Sequence, residues 1–343
     1  MGNASKYSAL NTKIQAMNSK LLSSKDYETL MNFTSEKEIG NYLKHDTRYA
    51  QVFSEYSIDK LKRWEFELIL KKQMLIEMEK LSKYLDYDSK NFIDIAFMRA
   101  EVEDIKLILR AISRKEDLMD LPQHFLHDKR HEKISFDKLL SKNNLLDLVD
   151  EFKGTVYEDA FRSITEEDLK LREFHAEMNL DSIYFRQLRK KSEKLSVEDK
   201  KIIDSVVGLN IDLTNIQWIY RAVKYYDLMN EEIFNYTLLG GKTLNLRKIK
   251  ELIYSDDVMS KTILFMKNYG IEIDPKDDKY LQVNINRYLL KFINKSNMNN
   301  PMTIVKLIKY MHDIEYEAMD IITILEGVRY KTKDIKKLLV KRW

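Results

Sequence analysis

The chain has 343 residues, with 58 Lys or Arg against 55 Asp or Glu and a formal net charge of +3; that is enough chain for two or three ordinary domains with a sizeable core. It contains no cysteine, which excludes a disulfide framework, thiolate metal ligands and a cysteine nucleophile, and suits a reducing cytoplasm. The near-balance of charge argues against nucleic acid as a partner, since such binders carry a stronger or more clustered basic excess.

Gly and Pro are scarce, at eight and three. Turns and hairpins depend on both, so their scarcity predicts long helices and an all-α fold. The opening MGNASK departs from a myristoylation signal at Lys6, where Ser or Thr is required. No signal peptide is expected, and no apolar run reaches the 18 residues of a membrane span.

In chain order, the first patterned stretch is YETLMNFTSEKEIGNYLKHDTRYAQVF, ending at Phe53, which reads as a group of short helices. A longer helix is predicted at roughly Ser57–Tyr84, and the phrase DIKLILRAI follows at Asp104–Ile112. The same order then returns. FDKLLSKNNLLDLVDEFKGTVYEDAF ends at Phe161, with Tyr27 and Leu30 answered by Phe136 and Leu139, and Thr47, Tyr49 and Phe53 by Thr155, Tyr157 and Phe161. A longer helix is expected over about Glu166–Ser192, and then NIQWIYRAV at Asn215–Val223. A fainter third copy places Ile249, Leu252 and Phe265 where Phe136, Leu139 and Phe152 stood. It continues through a helix near Asp277–Asn294 to DIITILEGV at Asp320–Val328.

Within each phrase the apolar residues have the spacing i, i+3, i+4, i+7, which sets them on one helical face. They are Ile105, Ile108, Leu109 and Ile112; Ile216, Ile219, Tyr220 and Val223; and Ile321, Ile324, Leu325 and Val328. The preceding Asp104, Asn215 and Asp320 are expected early in their helices, serving backbone N–H groups or meeting the positive end of the dipole. Ala111, Ala222 and Gly327 hold a position where a small residue would let a neighbouring helix approach closely. A period near 110 is too long for a solenoid. It predicts three similar helical subdomains, residues 1–115, 116–228 and 229–343, which could surround a pseudo-threefold axis. NTKIQAM near the start and DIKKLL at Asp334–Leu339 echo parts of a unit, so the two ends are expected to complete one another.

Candidate chemistry is sparse. GGKT at Gly240–Thr243 lacks the first Gly of a phosphate-binding loop, with Tyr236 in its place, and reads as a turn between helices. His124, His127 and His131 have ligand-like spacing, but their segment is crowded with charge and follows Pro122, as an exposed connection would. Carboxylate pairs such as Glu101/Glu103 and Glu166/Glu167 are expected on solvated faces. No nucleophile motif appears, so catalytic residues, metal ligands and a cofactor are not expected. The basic runs Arg186–Lys194 and Arg329–Trp343 read first as helix ends favoured by the dipole, second as contacts for an acidic protein surface, and third as contacts for nucleic acid or anionic lipid. The second run supplies Arg329, Lys331, Lys333, Lys336, Lys337, Lys341 and Arg342 as candidate partner contacts.

At the N-terminus, YSALNTKIQAMNSKLLSSKDYETLM (Tyr7–Met31) resembles the C subunit of the archaeal and bacterial A/V-type ATPases, the counterpart of the eukaryotic d subunit. Tyr7, Leu10–Asn11, Lys13 and Gln15–Ala16–Met17 follow that family's opening, with Gln15 in place of the usual Arg. Thr47–Tyr49 matches its T-x-Y, Asp104–Ala111 and Asn215–Ala222 match its NIK-ILRA, and Leu238–Leu244 resembles its P-x-G turn without the Pro. The resemblance covers about residues 5–340, and the composition, rich in Lys, Asn and Ile, looks bacterial.

The resemblance implies a threefold, funnel-shaped helical protein without a catalytic site or cofactor. Such a protein sits on the cytoplasmic end of a membrane rotor ring, receives the foot of the central shaft, and couples ATP turnover to ion transport. Its implied partners are the ring (proteolipid) and shaft subunits of the same complex, through broad contacts of the obligate kind, about 2,000 Å² or more. Composition alone also admits a soluble helical adaptor unrelated to ion transport, or a helical nucleic-acid binder using the basic C-terminus.

Overall fold

The computed structural model describes residues 3–162, 174–226 and 228–341. The chain is all-α; among the described residues there is no strand, only an isolated bridge between Asp274 and Asp277. It packs as two compact units, one made of residues 1–86 with 259–343, the other of residues 87–258.

The first unit draws on both ends of the chain. It contains α1 (Asn3–Asn18), α2 (Ser24–Asn32), α3 (Glu36–Asp46), α4 (Ala50–Phe53) and α5 (Arg63–Ser82). Short polar caps fix two of these starts. Ser23 accepts from the Asp26 N–H while Asp26 accepts from the Ser23 N–H at 2.7 Å, and Ser35 with Glu38 repeats the arrangement before α3. Each such cap contributes about 1 kcal/mol. The expected helix at Ser57–Tyr84 begins later, at Arg63, because Lys62 is extended and Glu65 caps its N–H at 2.7 Å.

The second unit holds α6 (Tyr87–Ile93), α7 (Ile95–Ser113), α8 (Phe136–Leu140), α9 (Leu145–Asp150), α10 (Glu158–Phe161), α11 (Phe174–Ser192), α12 (Val197–Arg221), α13 (Asn230–Asn235) and α14 (Leu246–Ile253). Of the helix expected at Glu166–Ser192, the described part is α11; residues 163–173 lie outside the described set. Later come α15 (Val258–Asn268), α16 (Leu281–Asn299) and α17 (Val305–Arg329). A 3-10 turn at Asp278–Tyr280 precedes α16, which therefore starts after Asp277 and runs on to Asn299.

In the first unit α17 is the central element, packing against α1, α2, α3, α5 and α16. Its core joins Tyr27, Leu30, Tyr49, Phe53 and Phe66 to Ile321, Ile324 and Leu325. In the second unit α7 packs on α6, α9 and α11, and α11 packs in turn on α10 and α12. Among the described residues no helix is long and apolar enough to cross a membrane.

The first and third phrases lie on α7 and α17, and the second on the end of α12 and the turn that continues it. α7 and α17 end alike: Lys115 and Lys331 adopt left-handed backbones, with φ of 57° and 51°. The N–H of Glu116 bonds the Ala111 carbonyl at 2.8 Å, and the N–H of Thr332 bonds that of Gly327 at 2.8 Å. The small residue of the phrase thus supplies the accepting carbonyl of a Schellman-type stop. At Gly327 the close neighbour is the Ile335 side chain of the following 3-10 turn rather than another helix, and a Cβ there would meet it at 2.6 Å. The second copy does not stop in this way; α12 runs into a π-helical turn at Ala222–Tyr226.

Candidate functional site

Asp104, Asn215 and Asp320 do not lie early in their helices. They stand 9, 18 and 15 residues beyond the first residues of α7, α12 and α17, and all three are buried. A side chain there cannot cap its own helix, whose N–H groups at that depth already bond carbonyls one turn back. Each instead holds the backbone of another segment.

In the first copy, Asp104 accepts from the N–H groups of Leu126 at 2.8 Å and His127 at 2.7 Å. One turn earlier on the same face, Glu101 accepts from Lys133 at 2.7 Å and Ile134 at 3.2 Å. In the second, Asn215 accepts from the Leu238 N–H at 2.7 Å and donates to the Leu238 carbonyl at 2.8 Å. Asp212 accepts from Thr243 at 2.7 Å and Leu244 at 3.0 Å. In the third, Asp320 accepts from Val340 at 2.6 Å and Lys341 at 3.0 Å, while Glu317 accepts from Leu22 at 2.8 Å.

The pattern is the same each time: an acid, and three residues later an Asp or Asn, clasp the connection that leads into a short helix. Ile134 precedes α8, Leu244 precedes α14 and Leu22 precedes α2, each by two residues. A connection buried against a helix has N–H groups that neither water nor a regular ladder serves, and a carboxylate supplies acceptors for two of them. In the third copy the clasped backbone comes from the two chain ends, Val340–Lys341 and Leu22.

Two T-x-Y segments feed the same acids. The Thr47 and Thr155 hydroxyls accept from the N–H groups of Tyr49 and Tyr157 at 3.2 and 3.1 Å. The Tyr49 hydroxyl then donates to Glu317 at 3.0 Å, and that of Tyr157 to Glu101 at 2.7 Å. The expectation of a solvated face for Glu101 beside Glu103 does not hold. Glu101 is buried, because it lies one turn from Asp104 on the side of α7 that the following connection covers. The Glu166/Glu167 pair lies outside the described residues.

Burial dominates the electrostatics. It raises the Glu101 carboxyl against the opposing bonds from Tyr157, Lys133 and Ile134, and pushes Asp320 up to about 6. Tyr49 and Tyr157 are driven far above the ordinary phenol value by burial and then by the adjacent carboxylates. In the first unit Glu317 also faces Arg48 and Lys341 at 3.6 Å each, and Arg48 pairs with Glu77, which accepts in addition from Tyr310 and from Gln73.

Of the twelve apolar phrase residues, Ile105, Ile108, Leu109, Ile112, Ile216, Ile219, Tyr220, Ile321, Ile324 and Leu325 are buried, while Val223 and Val328 are half-buried. Arg329, Lys331, Lys333, Lys336 and Lys337 are exposed. Lys337 pairs with Asp334 at 2.8 Å and Arg329 lies 3.7 Å from Glu36. Lys341 is turned inward onto Glu317, and Arg342 lies outside the described residues.

The turn at GGKT joins α13 to α14, with Gly240 at φ 95°; its Thr243 N–H is spent on Asp212. The histidine segment is less exposed than its charge suggests. The His127 side chain is buried between Asp104 and Glu132, and His131 stacks on Phe97 with ring centroids 3.9 Å apart. Among the described residues no group of three or more His, Asp or Glu is arranged to hold a metal ion. A cleft of about 500 Å³ is lined by Glu272, Asp274, Asp277, Asp278 and Arg287.

The family described as "ATP synthase (C/AC39) subunit" matches residues 10–338. Similar curated proteins are the C subunits of A-type ATP synthases. That of Methanosphaera stadtmanae is 27% identical, over 74% of this chain and 64% of its own length. That of Methanosarcina mazei is 23% identical over 94% of this chain and 89% of its own, and that of Pyrococcus abyssi 23% over 97% and 90%.

Proposed function

The chain belongs to the ATP synthase (C/AC39) subunit family, and on that premise we propose that it is a non-catalytic central-stalk part of an A/V-type ATPase, a socket joining the rotary shaft to the membrane rotor ring. A part that passes torque between two others must resist internal slippage. The observation that best supports this reading is the clasp on each of α7, α12 and α17, which ties a connection to a buried helix through its backbone. Connections are ordinarily where a helical protein yields; here they are bonded to the core.

The proposal includes three similar subdomains, residues 1–115, 116–228 and 229–343, about a pseudo-threefold axis, and a place on the cytoplasmic face of the membrane. Recurrence of the clasp, with the third copy completed by the two chain ends, supports that division. It also includes the exposed basic group Arg329, Lys331, Lys333, Lys336 and Lys337 as a contact for an acidic partner surface, with Lys341 serving the core instead.

Reconstitution tests the role. Membranes carrying the rest of the complex but depleted of this chain should hydrolyse ATP without moving ions, and adding the purified chain should restore ATP-driven ion uptake. Undiminished ion uptake without the chain would remove the coupling role.

A further inference from the structure

His127 lies in the connection between α7 and α8, with a carboxylate at each ring nitrogen. Nδ1 is 2.7 Å from Oδ2 of Asp104 on α7, and Nε2 is 3.1 Å from Oε1 of Glu132 in the same connection. An ionised carboxylate only accepts, so both nitrogens must carry hydrogen, and an imidazole with two N–H groups is a cation. Phe136 stacks on the ring at 3.9 Å between centroids and Phe125 lies at 5.3 Å. From α7 a second acid, Glu101, also faces this region and is bonded to Tyr157 and to the N–H groups of Lys133 and Ile134. The nearby Asp128 and Arg130 pair with each other at the surface, at 2.7 Å.

We propose that His127 is a pH-sensitive latch, which as an imidazolium binds residues 125–134 to α7 and on losing its proton lets that connection open. The neutral ring must present one nitrogen lone pair to a carboxylate, so one of the two bonds becomes a repulsion. The third copy offers the contrast. Lys341 takes the corresponding place, its N–H on Asp320, and its ammonium 3.6 Å from Glu317 is a permanent cation. The first clasp therefore titrates through its cation and the third does not.

Burial opposes the charge on His127, but the hydrogen bonds and negative charge of Asp104 and Glu132 outweigh it and hold the ring above its ordinary value. The sign follows. A histidine whose pKa is raised by folding contributes fully below its unfolded value of about 6.5, and that contribution is lost as pH rises through the folded value.

The test uses the full chain and needs no variant to begin. The His127 ring is titrated by NMR while exchange of the Leu126 and His127 amides, corrected for intrinsic rates, is followed between pH 6 and 9. The ring should titrate above about 6.5, and amide protection should fall through the same midpoint, about tenfold for each unit by which that midpoint exceeds the ordinary value. The Val340 amide should keep its protection between pH 7 and 9, and Glu132→Gln should lower the midpoint. A ring that titrates at or below its ordinary value, or Leu126 protection indifferent to the ring's titration, would overturn the latch.

Discussion

The Glu317 carboxylate accepts the backbone N–H of Leu22 at 2.8 Å, a bond between residues 295 positions apart. The same side chain takes the Tyr49 hydroxyl and faces Arg48 and Lys341, so four groups from three places in the sequence converge on one buried acid. Removing it leaves the Lys341 ammonium and two donors without this acceptor, while Arg48 keeps Glu77. Glu317→Ala should lower stability by roughly 3–5 kcal/mol, the usual effect of breaking a buried charge cluster. Denaturant unfolding measures it; a loss under about 1 kcal/mol, the scale of one ordinary hydrogen bond, would show that Glu317 is not the anchor described.

Asp320→Asn should behave differently. The second copy already uses Asn215 for the same task, bonding both the N–H and the carbonyl of Leu238. The amide can accept from Val340, loses the second acceptor for Lys341, and sheds a buried negative charge. Its cost should stay near about 1 kcal/mol, the value of one exchanged hydrogen bond. Asp320→Ala, which frees both N–H groups, should cost clearly more in the same unfolding assay.

A pH dependence accompanies that position. Burial raises the Asp320 carboxyl to about 6, so between the ordinary value of about 4 and that point the native state holds the proton more firmly than the unfolded chain. This group's contribution is therefore full below about pH 4 and falls as pH rises through about 6. Asp320→Asn should flatten that part of the stability profile, seen as a smaller difference in unfolding midpoint between about pH 4.5 and 7. An unchanged difference would assign the slope to other carboxyls.

Lys115 and Lys331 occupy backbone conformations that cost a side-chain-bearing residue about 1–2 kcal/mol. Lys115→Gly removes that strain without touching a buried contact, and should raise stability by up to about 1 kcal/mol after the added flexibility of the unfolded chain is counted. Lys331→Gly should match it in unfolding experiments, and a loss in both would contradict the stop geometry.

Much of this fold is legible in the sequence. The scarcity of Gly and Pro and the recurring i, i+3, i+4, i+7 phrases point to buried helices, and α7, α12 with the turn that continues it, and α17 carry those phrases. The role of Asp104, Asn215 and Asp320 is not legible from local pattern. Their partners are backbone N–H groups 20 to 23 residues away, and amide positions leave no trace in side-chain periodicity. The readable clue is Glu101, Asp212 and Glu317, an acid three residues before the phrase in every copy. On a helix that spacing shares a face with the buried residue that follows. His127 is hidden for a related reason. Charge-rich sequence around it suggests exposure, but Asp104 and Glu132 neutralise the ring from both sides and permit its burial.

On the proposed reading, this chain joins a rotor ring to a shaft. The most direct measurement is affinity isolation of the tagged chain from its native membranes in mild detergent, followed by identification of what accompanies it. Recovery of a small, very hydrophobic ring subunit together with a long helical shaft subunit is the predicted result. Recovery of the chain alone from the soluble fraction, with those subunits abundant in the membranes, would contradict the account.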